Sequence, residues 1–151
     1  MEKFGRSQGV TRVEDVRFLT GHGRYGDDVA PEGSLYAVFF RSPVAHATIT
    51  GLDVSAAREA PGVHLVYTLD DLEAAGVKLD MDATTAPNID GSKGAAPFRP
   101  VLARDRVRYV GEPIAMVLAD SIAEGMDAAE LIELDIDDLP VKLDLQPGGP
   151  T

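Results

Sequence analysis

The sequence contains no cysteine. That absence excludes disulfides, thiolate-held iron–sulfur clusters and cysteine-built zinc sites from this chain, so a metal would need oxygen or histidine ligands. Basic residues are scarce, 14 against 25 acidic ones, and the formal net charge is -11. Such a field repels phosphate backbones and anionic lipid heads, which argues against nucleic acid and membranes as partners. No apolar run approaches the roughly 20 residues needed to cross a bilayer. Met1 to Gly5 lack the apolar region of a signal peptide, and the expectation is a cytoplasmic protein.

What is present suffices for one core. The 151 residues are 44% hydrophobic and 26% charged, a balance that reads as globular. A chain of this length buries about two-thirds of its unfolded surface.

Residues 1–31 are rich in Gly, Arg and Asp with little apolar periodicity, and read as an N-terminal arm on another surface, anchored by Val13, Val16, Phe18 and Leu19. A folded body is expected over 32–145, with 146–151 as a Pro- and Gly-rich tail or linker. Residues 34–40 are a short aromatic run between Gly33 and Pro43, which predicts a central strand buried on both faces. Residues 46–53 follow at hairpin distance with β-branched side chains, so the two strands are expected to pair antiparallel. Ser55 opens a short helix to Ala60 with its hydroxyl as cap, and Pro61-Gly62 ends it. A strand over 63–67 precedes a second short helix over 72–75, capped by Thr68 or Asp70. Residues 80–100 show Gly, Pro, Ser, Asn and Thr without periodicity. Unstructured loops of this length are uncommon inside a compact domain, and this one is the candidate interaction segment.

The second half is patterned more strongly. Residues 114–119 are continuously apolar, as in a strand covered on both faces. Ser121 and Glu124 stand at capping-box spacing; Ile122, Met126 and Ala129 form the apolar stripe of a helix that Gly125 weakens modestly. Over 132–137 strict alternation puts Ile132, Leu134 and Ile136 on one face and three carboxylates on the other. Strand, helix and strand suggest a βαβ-like or split βαβ unit, and the fold class is α/β (α+β), a mixed β-sheet with packed helices.

Several motifs invite chemistry. Tyr25-Gly26-Asp27-Asp28 copies a viral RNA polymerase signature whose carboxylates hold divalent metals. The other acidic motifs and the basic groove of such enzymes are missing, so a turn with Asp side chains bonding backbone N–H groups is the better reading. Asp80, Asp82 and Thr84 fit the nucleophile motif of haloacid-dehalogenase-like phosphatases, but only Val77 and Leu79 precede it where a buried strand is needed. A solvated loop is the simpler account. Gly21-His22-Gly23 lacks the strand and helix that would receive a pyrophosphate. His22, His46 and His64 never show the i, i+4 spacing of a helical metal pair and read as hydrogen-bonded structural residues. Asp135, Asp137 and Asp138 could hold calcium, yet a carboxylate row on a strand's wet face is ordinarily a solubilising surface. No Ser, His and acid constellation stands out, and no catalytic, cofactor-binding or metal residue is assigned.

Taken in order, one set of short motifs resembles a known family. Phe4-Gly5, Arg12-Val13-Glu14-Asp15 and the run from Phe18 through Gly23 to Asp28 are similar to the start of bacterial molybdenum hydroxylase large subunits. That family includes carbon monoxide dehydrogenase, aldehyde oxidase and xanthine dehydrogenase relatives. The similarity continues through Arg41-Ser42-Pro43-Val44-Ala45-His46-Ala47, Ala60-Pro61-Gly62-Val63, Leu102-Ala103, Val107-Arg108-Tyr109-Val110-Gly111-Glu112-Pro113, Asp127-Ala128-Ala129-Glu130 and Leu139-Pro140. The resemblance implies an α/β-hammerhead domain that precedes the molybdopterin-binding domains. It implies partners in a molybdopterin-binding domain or chain and an iron–sulfur subunit, with the molybdopterin, iron–sulfur and flavin cofactors held there and none on this chain. It also places Phe98 and Arg99, in the loop before Leu102, at the border of a substrate funnel or interface. Two departures stand out: Ile136 replaces a frequent aromatic residue, and the chain stops where relatives run on, so no activity is expected of it alone. The competing expectation is a free-standing binding module that uses the 80–100 loop for a ligand or partner.

Overall fold

The computed structural model describes residues 12–81, 86–93 and 97–144. The expected tail at 146–151 and the Phe4-Gly5 motif lie outside the described residues. The chain divides into two compact units, Met1–Ser34 and Leu35–Thr151.

The first unit holds helix α1 (Asp15–Leu19) and a 3-10 turn (Gly26–Asp28). The helix buries nothing, so no apolar periodicity marks it in the sequence; Val13, Val16 and Leu19 stay exposed. The Phe18 and Tyr25 rings stack with centroids 5.5 Å apart and tie the two turns together. Tyr25 donates its N–H to the Asp28 carboxylate at 2.9 Å, the turn chemistry expected of this segment.

The second unit is built on two three-stranded sheets, every pairing antiparallel. One has β1 (Tyr36–Arg41) and β3 (Val63–Tyr67) flanking β5 (Pro113–Ala119); the other has β4 (Arg106–Val107) and β6 (Glu133–Asp138) flanking β2 (Ala47–Asp53). Helices α2 (Ser55–Arg58), α3 (Leu69–Ala74) and α4 (Ile122–Glu130) complete it. The α/β (α+β) class holds, while the single mixed sheet is corrected to two antiparallel ones.

The expected hairpin between β1 and β2 does not form, because the two strands belong to different sheets. The reason lies in the corner between them. Ser42 donates its N–H to Glu112 O at 2.9 Å, and Pro43 has no N–H to extend the ladder, so the chain leaves one sheet and enters the other. The strand–helix–strand unit of β5, α4 and β6 is likewise divided between the sheets. β1 is an edge strand, not a central one, and Tyr36, Ala37, Phe39 and Arg41 are exposed. An apolar run records that a strand suits burial, not that the same chain supplies both covers. β5 is the central strand, with Ile114, Ala115, Val117 and Ala119 buried.

The helices also depart in detail. Ser55 caps nothing with its hydroxyl; its N–H goes to Asp53 Oδ1 at 2.8 Å and Val54 is the N-cap. Of the two cap candidates for α3, Thr68 serves: its Oγ1 accepts the Asp71 N–H, and the Asp71 carboxylate accepts the Thr68 N–H at 2.8 Å. In α4 the cap is as expected, since Ser121 Oγ accepts the Glu124 N–H at 3.2 Å and donates to Glu124 Oε2 at 2.7 Å. The buried side of α4, however, carries Gly125 and Ala128, while Ile122 and Met126 are more than half exposed. A Cβ on Gly125 would stand 2.6 Å from Val38 Cγ2, so the helix seats directly on the sheet and small residues face inward.

Two apolar clusters result. Val54, Ala57, Val66, Ala115, Val117, Ala128 and Ile132 fill the space among the first sheet, α2 and α4. Ala47, Ala103, Val107 and Ile114 form the second, with Leu134 and Ile136 packed against it from β6, as the alternation predicted. Phe40 and Leu52 touch both.

Candidate functional site

The family-like motifs at residues 41–47 and 107–113, far apart in sequence, meet at the corner between the sheets. Gly111, at φ +85°, donates its N–H to Ser42 O at 2.9 Å, and Arg41 Nη1 donates to Gly111 O at 3.0 Å. Glu112 is 4% exposed; its carboxylate accepts the Arg108 N–H and faces the Arg108 guanidinium at 3.8 Å. Ser42, equally enclosed, donates its hydroxyl to Val44 O at 2.8 Å. Ala103 N–H bonds Pro113 O at 2.7 Å and brings the Leu102-Ala103 motif to the same place. The sequence gives Glu112 no role beyond its place in the family-like run 107–113. The signal was its setting between Gly111 and Pro113, where a tight turn forces the acid inward.

The segment expected to be a featureless loop is tied together in two places. Asp80 bridges Pro100 and Pro87 bridges Lys93, both antiparallel, which makes a ribbon of the described parts of residues 80–100. Met81 N–H bonds Arg99 O at 2.9 Å, Val101 N–H bonds Leu79 O at 3.0 Å, and Asp80 Oδ1 accepts the Arg99 N–H at 2.9 Å. Asp80 therefore anchors a backbone; its motif partners Asp82 and Thr84 lie outside the described residues. At the tip Asp90 accepts from both the N–H and the hydroxyl of Ser92, bonds that hold its carboxyl below the usual range. Gly91 at φ +81° closes the turn and Ile89 projects fully into solvent.

At the ribbon's base a cleft of about 390 Å³ is lined by Leu69, Leu79, Phe98, Pro100, Arg104 and Arg106, among others. Phe98 is 58% exposed and forms part of its wall; Arg99 is not among the lining residues. Arg104 Nε faces the Asp70 carboxylate at 2.7 Å without the alignment of a hydrogen bond, and its Nη2 bonds Glu73. The Glu73 bond, with the charges of Asp70, Glu73 and Asp105, holds Arg104 above its ordinary pKa.

Each of the three histidines has a partner of its own. His22 Nδ1 lies 3.1 Å from Thr20 Oγ1, His46 Nδ1 donates to Pro140 O at 2.8 Å, and His64 Nε2 donates to Asp120 Oδ1 at 2.8 Å. Among the described residues no group of three or more His, Asp or Glu side chains converges as a metal cage. With no cysteine in the sequence, the chain has no thiolate to offer an iron–sulfur cluster or a cysteine-built zinc site. No helix among the described residues is long and apolar enough to cross a membrane.

Two antiparallel sheets joined at a Ser42–Glu112 corner, with a ribbon beside the second, define an α+β domain of the hammerhead class. The chain belongs to the aldehyde oxidase and xanthine dehydrogenase a/b hammerhead domain family, whose model matches residues 20–140. It is 47% identical over 146 residues to the nicotine 6-hydroxylase large subunit of Paenarthrobacter nicotinovorans, covering 93% of this chain and 17% of that protein. Among solved structures it is similar to quinoline 2-oxidoreductase from Pseudomonas putida 86, with a TM-score of 0.75 and 39% identity over 87% of this chain and 16% of that one. A Cu,Mo-CO dehydrogenase matches with a TM-score of 0.76 and 36% identity, over 93% of this chain and 17% of that one. The chain thus spans about one sixth of the length of these relatives.

Proposed function

We propose that this chain is the structural and docking domain of a molybdenum hydroxylase large subunit, and that the reaction it serves is oxidative hydroxylation carried out by groups held elsewhere in the assembly. Family membership over residues 20–140 is the observation that carries this reading. The molybdopterin-binding domain or chain is its immediate partner, with iron–sulfur and flavin carriers beyond it. In this reading residues 1–31 are the arm, 32–145 the body and 146–151 the tail or linker. The ribbon over 80–100 extends onto that neighbour, and Phe98 and Arg99 border the substrate entrance. Support for the last point is the exposed Phe98 ring in the wall of the cleft and the bonds of the Arg99 backbone to Met81 and Asp80.

Purification of the chain from its source cell, with molybdenum quantified across a sizing column, tests the reading. Molybdenum is expected to travel with an assembly that contains this chain and to be absent from the chain alone. If the isolated chain held stoichiometric pterin, or hydroxylated an aldehyde or N-heterocycle with an artificial acceptor, the reading would be wrong. Within the assembly, Phe98→Ala is expected to raise KM about three- to tenfold while kcat stays near its original value, the pattern of a lost binding contact.

A further inference from the structure

The chain around β4 carries three arginines past one cleft. Ala103 and Val107 are buried, so the alternation of an extended segment puts Arg104, Arg106 and Arg108 on the other face, and all three line the cleft of about 390 Å³ at the ribbon's base. Two of them are already engaged. Arg104 pairs with Asp70 and Glu73, while Arg108 faces Glu112 and donates to Arg106 O at 3.2 Å. Arg106 differs: it is half-buried, and among the described residues its guanidinium meets no carboxylate and makes no hydrogen bond. In a chain with 25 acidic residues against 14 basic ones, a guanidinium without a counter-ion in a concave setting stands out.

We propose that this cleft binds a small monocarboxylate with a flat apolar body, such as an aromatic acid, its carboxylate on the Arg106 guanidinium and its body against Leu69, Leu79, Phe98 and Pro100. The ligand is a carboxylate because a single guanidinium presents paired N–H donors that match two carboxylate oxygens. It carries one charge because Glu73 and Asp105 share the lining and repel a dianion such as phosphate. Its body is apolar because four apolar residues complete the wall, and flat because Phe98, 58% exposed, has uncovered ring surface for stacking. The volume lies within the roughly 300–1,000 Å³ of small-molecule clefts. The net charge of -11 opposes any anion at a distance, but salt screens it beyond about 8 Å, whereas the ion pair forms in contact. Binding here does not depend on Phe98 bordering a substrate entrance.

The test is titration of the purified 151-residue chain with benzoate, followed by amide NMR shifts, with acetate and inorganic phosphate for comparison. Benzoate is expected to bind with a Kd of about 1 mM, the range open to a ligand of so few atoms, and to shift the amides of Phe98 and of Arg104 to Arg108. Acetate and phosphate are expected to bind about tenfold more weakly or less. Arg106→Gln is expected to weaken benzoate about tenfold while circular dichroism and thermal unfolding stay unchanged; Arg106→Lys, which keeps the charge and loses the fork, should fall between. Phe98→Ala is expected to weaken it about three- to tenfold. Arg24→Gln, the same charge change outside the cleft, is expected to leave the constant as it was. No saturable shift by about 20 mM benzoate overturns the inference. So does acetate or phosphate bound as tightly as benzoate, or a constant unmoved by Arg106→Gln. The competing occupant is an acidic segment of a neighbouring domain. Equilibrium dialysis of labelled benzoate against the molybdenum-containing assembly separates the two: binding retained there supports the proposal, and binding lost there overturns it. The titrations of the chain need no molybdenum, so this inference and the docking reading fail separately.

Discussion

The carboxylate of Glu124 lies directly over the Cα of Gly62, at a point where a Cβ would overlap it. Gly62 sits at φ +73° in the turn between α2 and β3, and Glu124 belongs to the first turn of α4, where it also accepts the Ser121 hydroxyl. One glycine thereby fixes both the exit of a short helix and the seat of a long one. Gly62 O accepts the Asp120 N–H at 2.9 Å and closes the same junction from the backbone side.

Replacing Gly62 by Ala is therefore expected to destabilise the domain by about 1–2 kcal/mol, chiefly the strain of a left-handed residue, with the flexible Glu124 carboxylate moving aside. Urea unfolding gives the number. The double variant with Glu124→Ala is expected to recover only a small part of the loss, since it removes the contact and leaves the backbone strain.

At Gly125 the ordinary helix rule should reverse sign. In an exposed helix Gly→Ala stabilises by roughly 1 kcal/mol. Here the new methyl meets Val38 Cγ2 at 2.6 Å, so Gly125→Ala is expected to lower stability. Val38→Ala in the same chain should restore the usual benefit in part, readable as non-additivity in a double-mutant cycle by chemical unfolding.

Glu112 ties the corner between the sheets from a nearly inaccessible position. Its truncation in Glu112→Ala leaves the Arg108 N–H without its acceptor and is expected to cost about 2–4 kcal/mol. Glu112→Gln keeps an acceptor oxygen and should lose less. A thermal-unfolding series of the two variants orders them.

Part of the domain's acid sensitivity should lie at Asp71. Burial pushes its carboxyl upward, but the Thr68 N–H and hydroxyl bonds and the Arg58 guanidinium outweigh that and leave it below the usual range. A depressed folded-state pKa contributes stability that is present above the unfolded value of about 3.9 and disappears as pH falls through the folded value. Asp71→Asn is expected to flatten the stability profile in that acid window and to leave the profile above it parallel to that of the unchanged chain. Thr68→Ala, which removes the cap itself, should cost about 1 kcal/mol at neutral pH.

Much of the domain was legible from residue order. The alternation from Ile132 to Ile136 fixed which face of β6 is inward, and Ser121 with Glu124 located the start of α4. The apolar run over 114–119 marked a strand covered on both faces, and it became β5 with Ile114, Ala115, Val117 and Ala119 buried. These signals are local, arising within a turn of helix or a few residues of strand, so the chain carries them without reference to partners. The ordered motifs from Arg41 to Leu139 likewise carry the family's pattern in residue order alone.

Sheet membership was decided only in three dimensions. Nothing between Phe40 and Ala47 states that Ser42 will bond Glu112, some 70 residues on, and that bond is what sends β1 and β2 to separate sheets. The buried face of α4 followed the same logic: distance to the sheet favoured Gly125 and Ala128 over the larger Ile122 and Met126, a preference set by close packing and invisible to hydrophobic spacing. The ribbon over 80–100 looked formless because the bonds that tie its base, Met81 N–H to Arg99 O and Val101 N–H to Leu79 O, join main-chain atoms and leave no pattern in side-chain type. Sequence by itself thus determined local conformation and kinship; non-local hydrogen bonds and steric fit determined which elements met.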